Sequence, residues 1–172
     1  TSWTGGPKTE NGAYGLYPVL CKNVLIEDCS AKDASDAGIY VGDDDTVVVE
    51  KNHVSRCTIG IEVENTINAI VRNNEGMGNT SGILVVVLPG LPQPLTDNVL
   101  IEKNVMNKNN FPNPVPPGGG EAEGAIPTGT GILNVGGDHV VIRDNVVNGN
   151  DSVGVAIIAN PFAPFDPRIE PN

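Results

Sequence analysis

The chain repeats itself with a period of about 22 positions, and this period limits its possible folds more than any other feature. One repeated pattern is an extended apolar segment that ends in an amide, and the other is a glycine followed by alternating apolar residues. The amide segments begin at Asn23, Thr46, Asn68, Asn98 and His139. The glycines of the second pattern are Gly15, Gly38, Gly60, Gly82, Gly131 and Gly154.

The two series of spacings agree on one repeat length. In sequence numbering the glycines advance by steps of 23, 22, 22, 49 and 23, and the starts of the amide segments by steps of 23, 22, 30 and 41. A basic step of 22, with one insertion of 8 and another of 19, explains the last two amide steps and also the glycine step of 49. We therefore expect insertions at about residues 86–97 and 108–129.

Repeated short strands are unstable alone, but they can pair with their copies in a stack. The sequence therefore predicts an all-β fold, a single-stranded right-handed parallel β-helix. This solenoid is expected to have about six coils of about 22 residues, with two strands of three to six residues in each coil. We expect it to cover residues 1–160, with a proline-rich tail at 161–172.

Alternation along the strands assigns residues to faces of the coil. The inward positions are expected to form the core; they are Val24, Ile26, Ile39 and Val41 with their equivalents Val47, Val49, Ile61, Val63, Val99, Ile101, Val140 and Ile142. The amide column is expected to form an asparagine ladder from Asn52, Asn74, Asn104 and Asn145, with Cys29 in the same column. The glycine column marks positions of positive φ or positions without room for a Cβ atom.

Charge and composition restrict the partners. The formal net charge of −11 argues against nucleic acid and against anionic membrane surfaces, and favours cations or neutral ligands. No run of 18 apolar residues is present, so we predict no transmembrane segment.

The first residues carry neither an initiator Met nor a signal sequence, so we expect a processed product or, preferably, a piece of a longer protein. Cys21, Cys29 and Cys57 lack CxxC spacing and are expected to be structural thiols.

The N-V-x-I-x-x-N and G-I-x-V columns of residues 12–160 resemble the parallel β-helix repeat proteins of the pectate-lyase-like fold. The stretches 11–18 and 35–42 look similar to an exported branch of these repeats. The resemblance implies a secreted, periplasmic or cell-surface protein, either a polysaccharide lyase, hydrolase or epimerase, or a non-catalytic adhesin or fibre module. The Asp-Pro-His-Asp signature of the epimerases and the Gly-His-Gly set of the polygalacturonases are absent, which puts catalysis in doubt.

The outward face of the glycine strands is the expected sugar-binding surface. Its column consists of Tyr17, Tyr40, Glu62, Leu84, Leu133 and Ala156. The rings of Tyr17 and Tyr40 suit the apolar faces of sugars, and Glu62 suits their hydroxyl groups. Lys32 and Asp36 complete the predicted substrate-binding set. The alternative is that a neighbouring segment covers the tyrosine pair.

A lyase or epimerase reaction on a uronate needs a group that neutralises its carboxylate, a base and an acid. The candidate catalytic residues are Tyr40, His53, Arg56 and Glu62, with Lys32 as an alternative cation. The competing interpretation of His53 is a turn residue at a corner of the coil.

Three consecutive carboxylates, Asp43, Asp44 and Asp45, occupy a turn between coils. Hard oxygen ligands suit Ca²⁺, so this triplet is a candidate calcium site, and calcium is the one cofactor that we consider. The alternative is a solvated acidic turn, since no D-x-D-x-D-G loop is present.

An apolar stripe runs along the outward face of the amide strands. It consists of Leu25, Val48, Ile70, Leu100 and Val141. Solvated faces are rarely apolar in every repeat, so we expect a cover from a second chain, another domain or the chain's own tail. Two functions are therefore open: binding or processing of polysaccharide, and a non-catalytic structural or assembly solenoid of a larger surface or fibre-forming protein.

Overall fold

The computed structural model describes residues 1–116, 122–161 and 163–169, and in these residues the strands stack into three parallel sheets. The first sheet consists of β1 (Lys22–Glu27), β4 (Asp45–Glu50), β7 (Ile67–Arg72), β10 (Asp97–Glu102) and β13 (Asp138–Arg143). The second sheet consists of β2 (Ser30–Lys32), β5 (His53–Ser55), β8 (Glu75–Met77) and β11 (Val105–Asn107). The third sheet consists of β3 (Ala37–Gly42), β6 (Ile59–Glu64), β9 (Ser81–Val86), β12 (Thr130–Val135) and β14 (Val153–Ile158).

A full coil therefore contains three strands, and the prediction of two strands per coil was wrong. The strands of the second sheet have only three residues each, and β8 has the sequence Glu-Gly-Met. So short and irregular a segment has no recognisable alternation. Its strand conformation depends on pairing with the coils on either side.

The pairing register confirms the repeat. Ile39 pairs with Ile61, Ile61 with Ile83 and Ile83 with Ile132, so each glycine strand lies directly above its copy. Before the first full coil, residues 1–20 add only isolated bridges, such as that between Leu16 and Ile39. The parallel β-helix predicted from the spacings is therefore the observed architecture.

The predicted inward positions form the core. From Ile39 to Ile101 they are at most 1% exposed, whereas Val24, Val140 and Ile142 near the ends of the stack are partly buried. Each fully buried Val or Ile contributes about 1.5–3 kcal/mol of transfer free energy, which offsets the entropy of ordering the chain.

The glycine column is explained by lack of space. None of its members from Gly15 to Gly154 has a positive φ. A Cβ atom on Gly60 would lie 2.5 Å from the carbonyl oxygen of Gly82, and one on Gly82 would lie 2.4 Å from that of Gly131. The close approach of successive coils, and not a left-handed backbone, therefore requires glycine at these positions.

The asparagine ladder is confirmed. Asn52 Nδ2 donates to Asn74 Oδ1 at 3.0 Å, Asn74 Nδ2 to Asn104 Oδ1 at 2.9 Å, and Asn104 Nδ2 to Asn145 Oδ1 at 3.0 Å. The backbone N–H of Cys29 donates to Asn52 Oδ1 at 2.9 Å, so this cysteine begins the column. All three cysteines are free thiols.

A second ladder runs parallel to the first at another corner. Asn79 Nδ2 donates to Asn109 Oδ1 at 2.9 Å, and Asn109 Nδ2 donates to Asn150 Oδ1 at 3.1 Å. The backbone N–H of Cys57 donates to Asn79 Oδ1 at 3.0 Å, so a cysteine begins this ladder too. Sequence reasoning missed this ladder, although its sequence steps of 22, 30 and 41 also occur in the first ladder.

Both insertions border the outer face of the third sheet. The shorter occupies 87–96, between β9 and β10, and the Asn65 side-chain amide holds it by donating to the carbonyls of Leu88 and Gln93. The longer occupies 108–129, between β11 and β12, and includes a 3₁₀ helix at Ala122–Ala125. Its glycine run, Gly118 to Gly120, lies outside the described residues.

The described part of the tail packs against the shorter insertion. Within the tail, Asp166 Oδ2 accepts from the Gly90 N–H at 2.9 Å, and just before it Asn160 Nδ2 donates to the Val87 carbonyl at 3.0 Å. The apolar stripe remains at the surface, with Leu25 61% and Val141 50% exposed and Val48, Ile70 and Leu100 half-buried. The described part of the tail is therefore not the cover expected for the stripe, because these contacts anchor it at residues 87–90.

Candidate functional site

The outer face of the third sheet changes character from coil to coil. Tyr40, Glu62, Leu84, Leu133 and Ala156 are register neighbours on β3, β6, β9, β12 and β14. Successive members lie about 4.8 Å apart, the spacing of paired strands. The face therefore passes from aromatic through acidic to aliphatic along the axis of the stack.

The aromatic end is a patch of three tyrosines, Tyr14, Tyr17 and Tyr40, called the tyrosine patch below. The rings of Tyr14 and Tyr17 stack with centroids 4.3 Å apart, and the Tyr17 and Tyr40 centroids are 4.8 Å apart. Tyr17 is 54% exposed, whereas Tyr40 is buried. Tyr14 was not among the predicted site residues, because it precedes the column glycine Gly15 and has no aromatic counterpart in the later coils.

Buried carboxylates surround the tyrosine patch. The Tyr40 hydroxyl donates to Glu64 Oε1 at 2.6 Å, and Asp36 and Glu62 are also buried and interact with Tyr14. Burial raises the pKa of Tyr40, and Glu64 raises it further. Burial likewise raises the pKa of Tyr14, with Asp36 adding to the effect. Both phenols therefore stay protonated at physiological pH.

Of the predicted site residues, the structure brings Tyr17, Tyr40, Asp36 and Glu62 to this face. Lys32 and His53, by contrast, belong to the strands of the second sheet, and Arg56 directly follows β5 in that sheet.

These second-sheet residues have partners of their own. Arg56 forms a two-pronged ion pair with the buried Asp33, at 2.6 Å from Nε to Oδ1 and 2.8 Å from Nη2 to Oδ2. His53 Nδ1 lies 3.2 Å from Glu75 Oε2. The predicted catalytic set is thus divided between two walls of the coil, with Tyr40 and Glu62 on one and His53 and Arg56 on the other.

An apolar cavity of about 250 Å³ occupies the aliphatic end of the face. Leu84, Leu133 and Ala156 form its floor, and Glu62 lies at the end nearest the tyrosine patch. The longer insertion borders the side where the strands begin, and Leu88 of the shorter insertion borders the opposite side. The two insertions therefore convert an otherwise flat sheet face into a groove.

Comparison with known families agrees with this architecture. The family model described as right handed beta helix region matches residues 8–166. The chain belongs to the right-handed β-helix family. Searches of the curated proteins and of the solved structures found no match to this β-helix protein. Among its described residues, no helix is long and apolar enough to cross a membrane.

The three aspartates of the candidate calcium site have three different environments in the β-helix. Asp43 Oδ1 accepts from the Gln93 N–H at 2.8 Å, whereas Asp45 lies at the surface and accepts from Asn68 Nδ2. Asp44 is buried and accepts from the Cys21 N–H at 2.7 Å. Within the described ranges, no group of three or more His, Cys, Asp or Glu side chains is arranged to hold a metal ion. The triplet thus does not form a shared calcium site in this structure.

Asp44 instead belongs to a third corner column. Its own N–H donates to Thr66 Oγ1 at 3.3 Å, so Cys21, Asp44 and Thr66 repeat the ladder arrangement at another corner. Its second carboxylate oxygen, Oδ2, is buried without a hydrogen-bond partner. Burial is the largest cause of the raised pKa of Asp44, and Asp43 adds to it.

Asp44→Asn is expected to stabilise the protein by about 1 kcal/mol at pH 7 and above. The amide keeps the acceptor for Cys21 and removes a buried charge. The pKa of Asp44 is higher in the folded than in the unfolded state. The free energy of unfolding of the wild type therefore falls as the pH rises through these two pKa values. The stabilisation should therefore shrink as the pH falls through about 4 and disappear near pH 3, where the carboxyl is neutral in both states. Urea unfolding across pH 3–8 measures the difference, and a gain that is independent of pH would contradict this explanation.

Proposed function

We propose that this β-helix protein binds a neutral glycan on its tyrosine patch. The observation that carries the proposal is a cluster of three tyrosine rings, of which Tyr17 is 54% exposed, beside buried carboxylates. Aromatic faces pack against the C–H surfaces of sugar rings, and carboxylates accept hydrogen bonds from sugar hydroxyls. With it we propose a secreted, periplasmic or cell-surface location, where many polysaccharides are found.

Charge favours a neutral over an acidic glycan. The tyrosine patch is bordered by Asp36, Glu62 and Glu64, and the whole chain has a net charge of −11. A uronate polymer would be repelled unless cations stood between the two. The predicted cation Arg56 is held by Asp33 beside the second sheet.

The same features favour binding over chemical processing. A lyase or epimerase requires a base that can lose its proton near neutral pH. The pKa values of Tyr14 and Tyr40 are both raised, and the hydroxyl of Tyr40 is engaged by Glu64.

Tyr17→Ala is expected to weaken glycan binding about tenfold, because it removes the exposed ring on which the sugar would stack. A glycan array followed by calorimetry on the best neutral ligand measures the effect, with and without calcium. Tyr17→Phe should retain most of the affinity, and His53→Ala on the second sheet should retain all of it. Unchanged affinity in Tyr17→Ala would refute the proposed site. Release of unsaturated product absorbing at 235 nm from a polyuronate would show a lyase instead.

The exposed stripe favours assembly as a second candidate function. Leu25 and Val141, at opposite edges of the first sheet, are 61% and 50% exposed, and Val48, Ile70 and Leu100 lie between them. One apolar residue in every coil makes a continuous ridge along the stack. Such ridges are typical of surfaces that pack against a second chain.

Light scattering tests the assembly candidate. If the stripe holds two chains together, the wild type should be a dimer or larger at micromolar concentrations, and a Leu25→Ser, Val141→Ser double variant should be a monomer. Met77→Ser is the matched control, because Met77 is 59% exposed on the second sheet and lies outside the stripe. A wild type that stays monomeric at all concentrations would rule the candidate out.

A further inference from the structure

The tyrosine patch and the apolar cavity lie on one continuous face. Tyr40 pairs with Glu62, Glu62 with Leu84 and Leu84 with Leu133, so one coil alone separates the last ring from the first leucine. Glu62 belongs to both regions, because it interacts with Tyr40 and lines the cavity. A ligand longer than one sugar would therefore extend from one region into the other.

The two regions select different chemistry. The patch end offers rings and acceptor-only carboxylates, whereas the cavity beyond it is lined by Leu84, Val86, Leu133, Val135 and Ile158. Ile126 of the longer insertion packs in the same cluster as Leu84 and Leu133, so the aliphatic floor is enclosed by apolar walls. A second sugar unit would have most of its hydroxyls desolvated there, because only Glu62, Glu64 and Thr130 among the described lining residues carry polar side chains.

We propose that the ligand is an amphiphilic glycoconjugate whose neutral sugar lies on the tyrosine patch and whose aliphatic chain fills the cavity. This inference rests on the proposed function, since it names the class of glycan that the same face binds. Each methylene that enters the cavity leaves water and gains favourable transfer free energy.

Charge selects the head group of such a ligand. A fatty acid or an anionic phospholipid would bring its negative group to Glu62 and Glu64, which are both buried and both line the cavity. A sugar instead presents hydroxyl donors, which these oxygens accept. An amphiphile with an uncharged sugar is therefore preferred over one with an anionic head.

The test is a series of alkyl glucosides that differ only in chain length, from methyl to octyl, titrated below their micelle concentrations and followed by NMR and calorimetry. Affinity should rise about threefold to fourfold for each added methylene until the cavity is full. Octanoate, which has the chain without the sugar, should bind much more weakly than octyl glucoside.

Two variants locate the chain. Ala156→Trp puts a large ring into the cavity from the edge strand β14. Leu88→Asp puts a charge into the cavity from the shorter insertion, which is not part of the stacked strands. Each should abolish the dependence on chain length while leaving glycan binding at Tyr17 intact. Met77→Trp adds the same bulk at an exposed position of the second sheet, outside both the stripe and the cavity, and should change neither chain-length dependence nor glycan binding.

The outcomes separate this inference from the proposed function. Affinity that does not depend on chain length overturns the amphiphile, while the Tyr17→Ala experiment still decides the glycan site. Octanoate binding as tightly as octyl glucoside also overturns it, because the cavity would then not discriminate between head groups. Chain-length dependence that survives in both Ala156→Trp and Leu88→Asp means that the chain binds elsewhere, which again rejects the inference.

Discussion

Asn74→Ala is expected to lower the free energy of unfolding by about 4 kcal/mol, because Asn74 occupies the middle of a ladder that water does not reach. Its Oδ1 accepts from both the backbone N–H and the side-chain amide of Asn52, at 3.0 Å each. Its Nδ2 donates to the Val49 carbonyl and to Asn104 Oδ1, at 2.9 Å each. Alanine would leave the Asn52 N–H without its acceptor. It would also remove one hydrogen bond each from Asn52 Nδ2, the Val49 carbonyl and Asn104 Oδ1. A buried group left unsatisfied costs about 1–3 kcal/mol.

Asn68→Gly is the matched control. Asn68 also accepts from an asparagine one coil away, Asn98 Nδ2 at 2.8 Å, but at the exposed surface. Glycine tolerates the φ of +58° at this position, so the change removes the side chain without adding backbone strain. Its cost should stay below about 1 kcal/mol, because water replaces the lost partner. Urea unfolding followed by circular dichroism compares the two variants; equal losses would mean that burial does not decide the strength of a ladder.

Gly82→Ala is expected to destabilise the protein by about 3 kcal/mol through a steric clash in the stack. The new Cβ would lie 2.4 Å from the Gly131 carbonyl oxygen and 2.9 Å from Asn109 Nδ2. Since the first contact is with the backbone of the next coil, relief requires strands β9 and β12 to move apart. Overpacking that shifts backbone typically costs about 1–3 kcal/mol or more.

Gly154→Ala tests the same column at its free edge. The nearest atom to a Cβ at this position is Val147 Cγ1 at 3.8 Å, an ordinary contact. We expect a change in unfolding free energy of at most about 0.5 kcal/mol, measured under the same conditions as for Gly82→Ala. A large loss in Gly154→Ala would show that the column serves backbone conformation and not close approach of coils.

Much of the fold could be predicted because equivalent positions carry the same residue types in successive coils. A substitution in one coil leaves the other copies unchanged, so Asn52, Asn74 and Asn104 identify their corner by repetition alone. The second ladder carried an equally regular signal in Asn79, Asn109 and Asn150, and was missed because each lies beside strands too short to recognise.

The site was less predictable because it is the part that does not repeat. Tyr14 and the 87–96 and 108–129 segments occur once, so nothing in the spacing indicates where they pack. The sequence placed Asp44 in an acidic turn, whereas burial of this residue follows from its position between Cys21 and Thr66 in a corner column. His53 and Arg56 lie on a different wall of the coil from the tyrosine patch because each full coil has a third strand, which the sequence did not predict.

The two asparagine ladders run in the same direction and so give the protein a dipole along the stack. In both ladders the side-chain amides donate toward later coils and accept from earlier ones. Aligned dipoles add, as they do in an α-helix, so the end near Cys29 is the negative pole and the end near Asn145 the positive pole. If two such stacks met end to end, their ladder dipoles would favour the head-to-tail orientation over contact between like poles, against the overall repulsion of two chains of net charge −11.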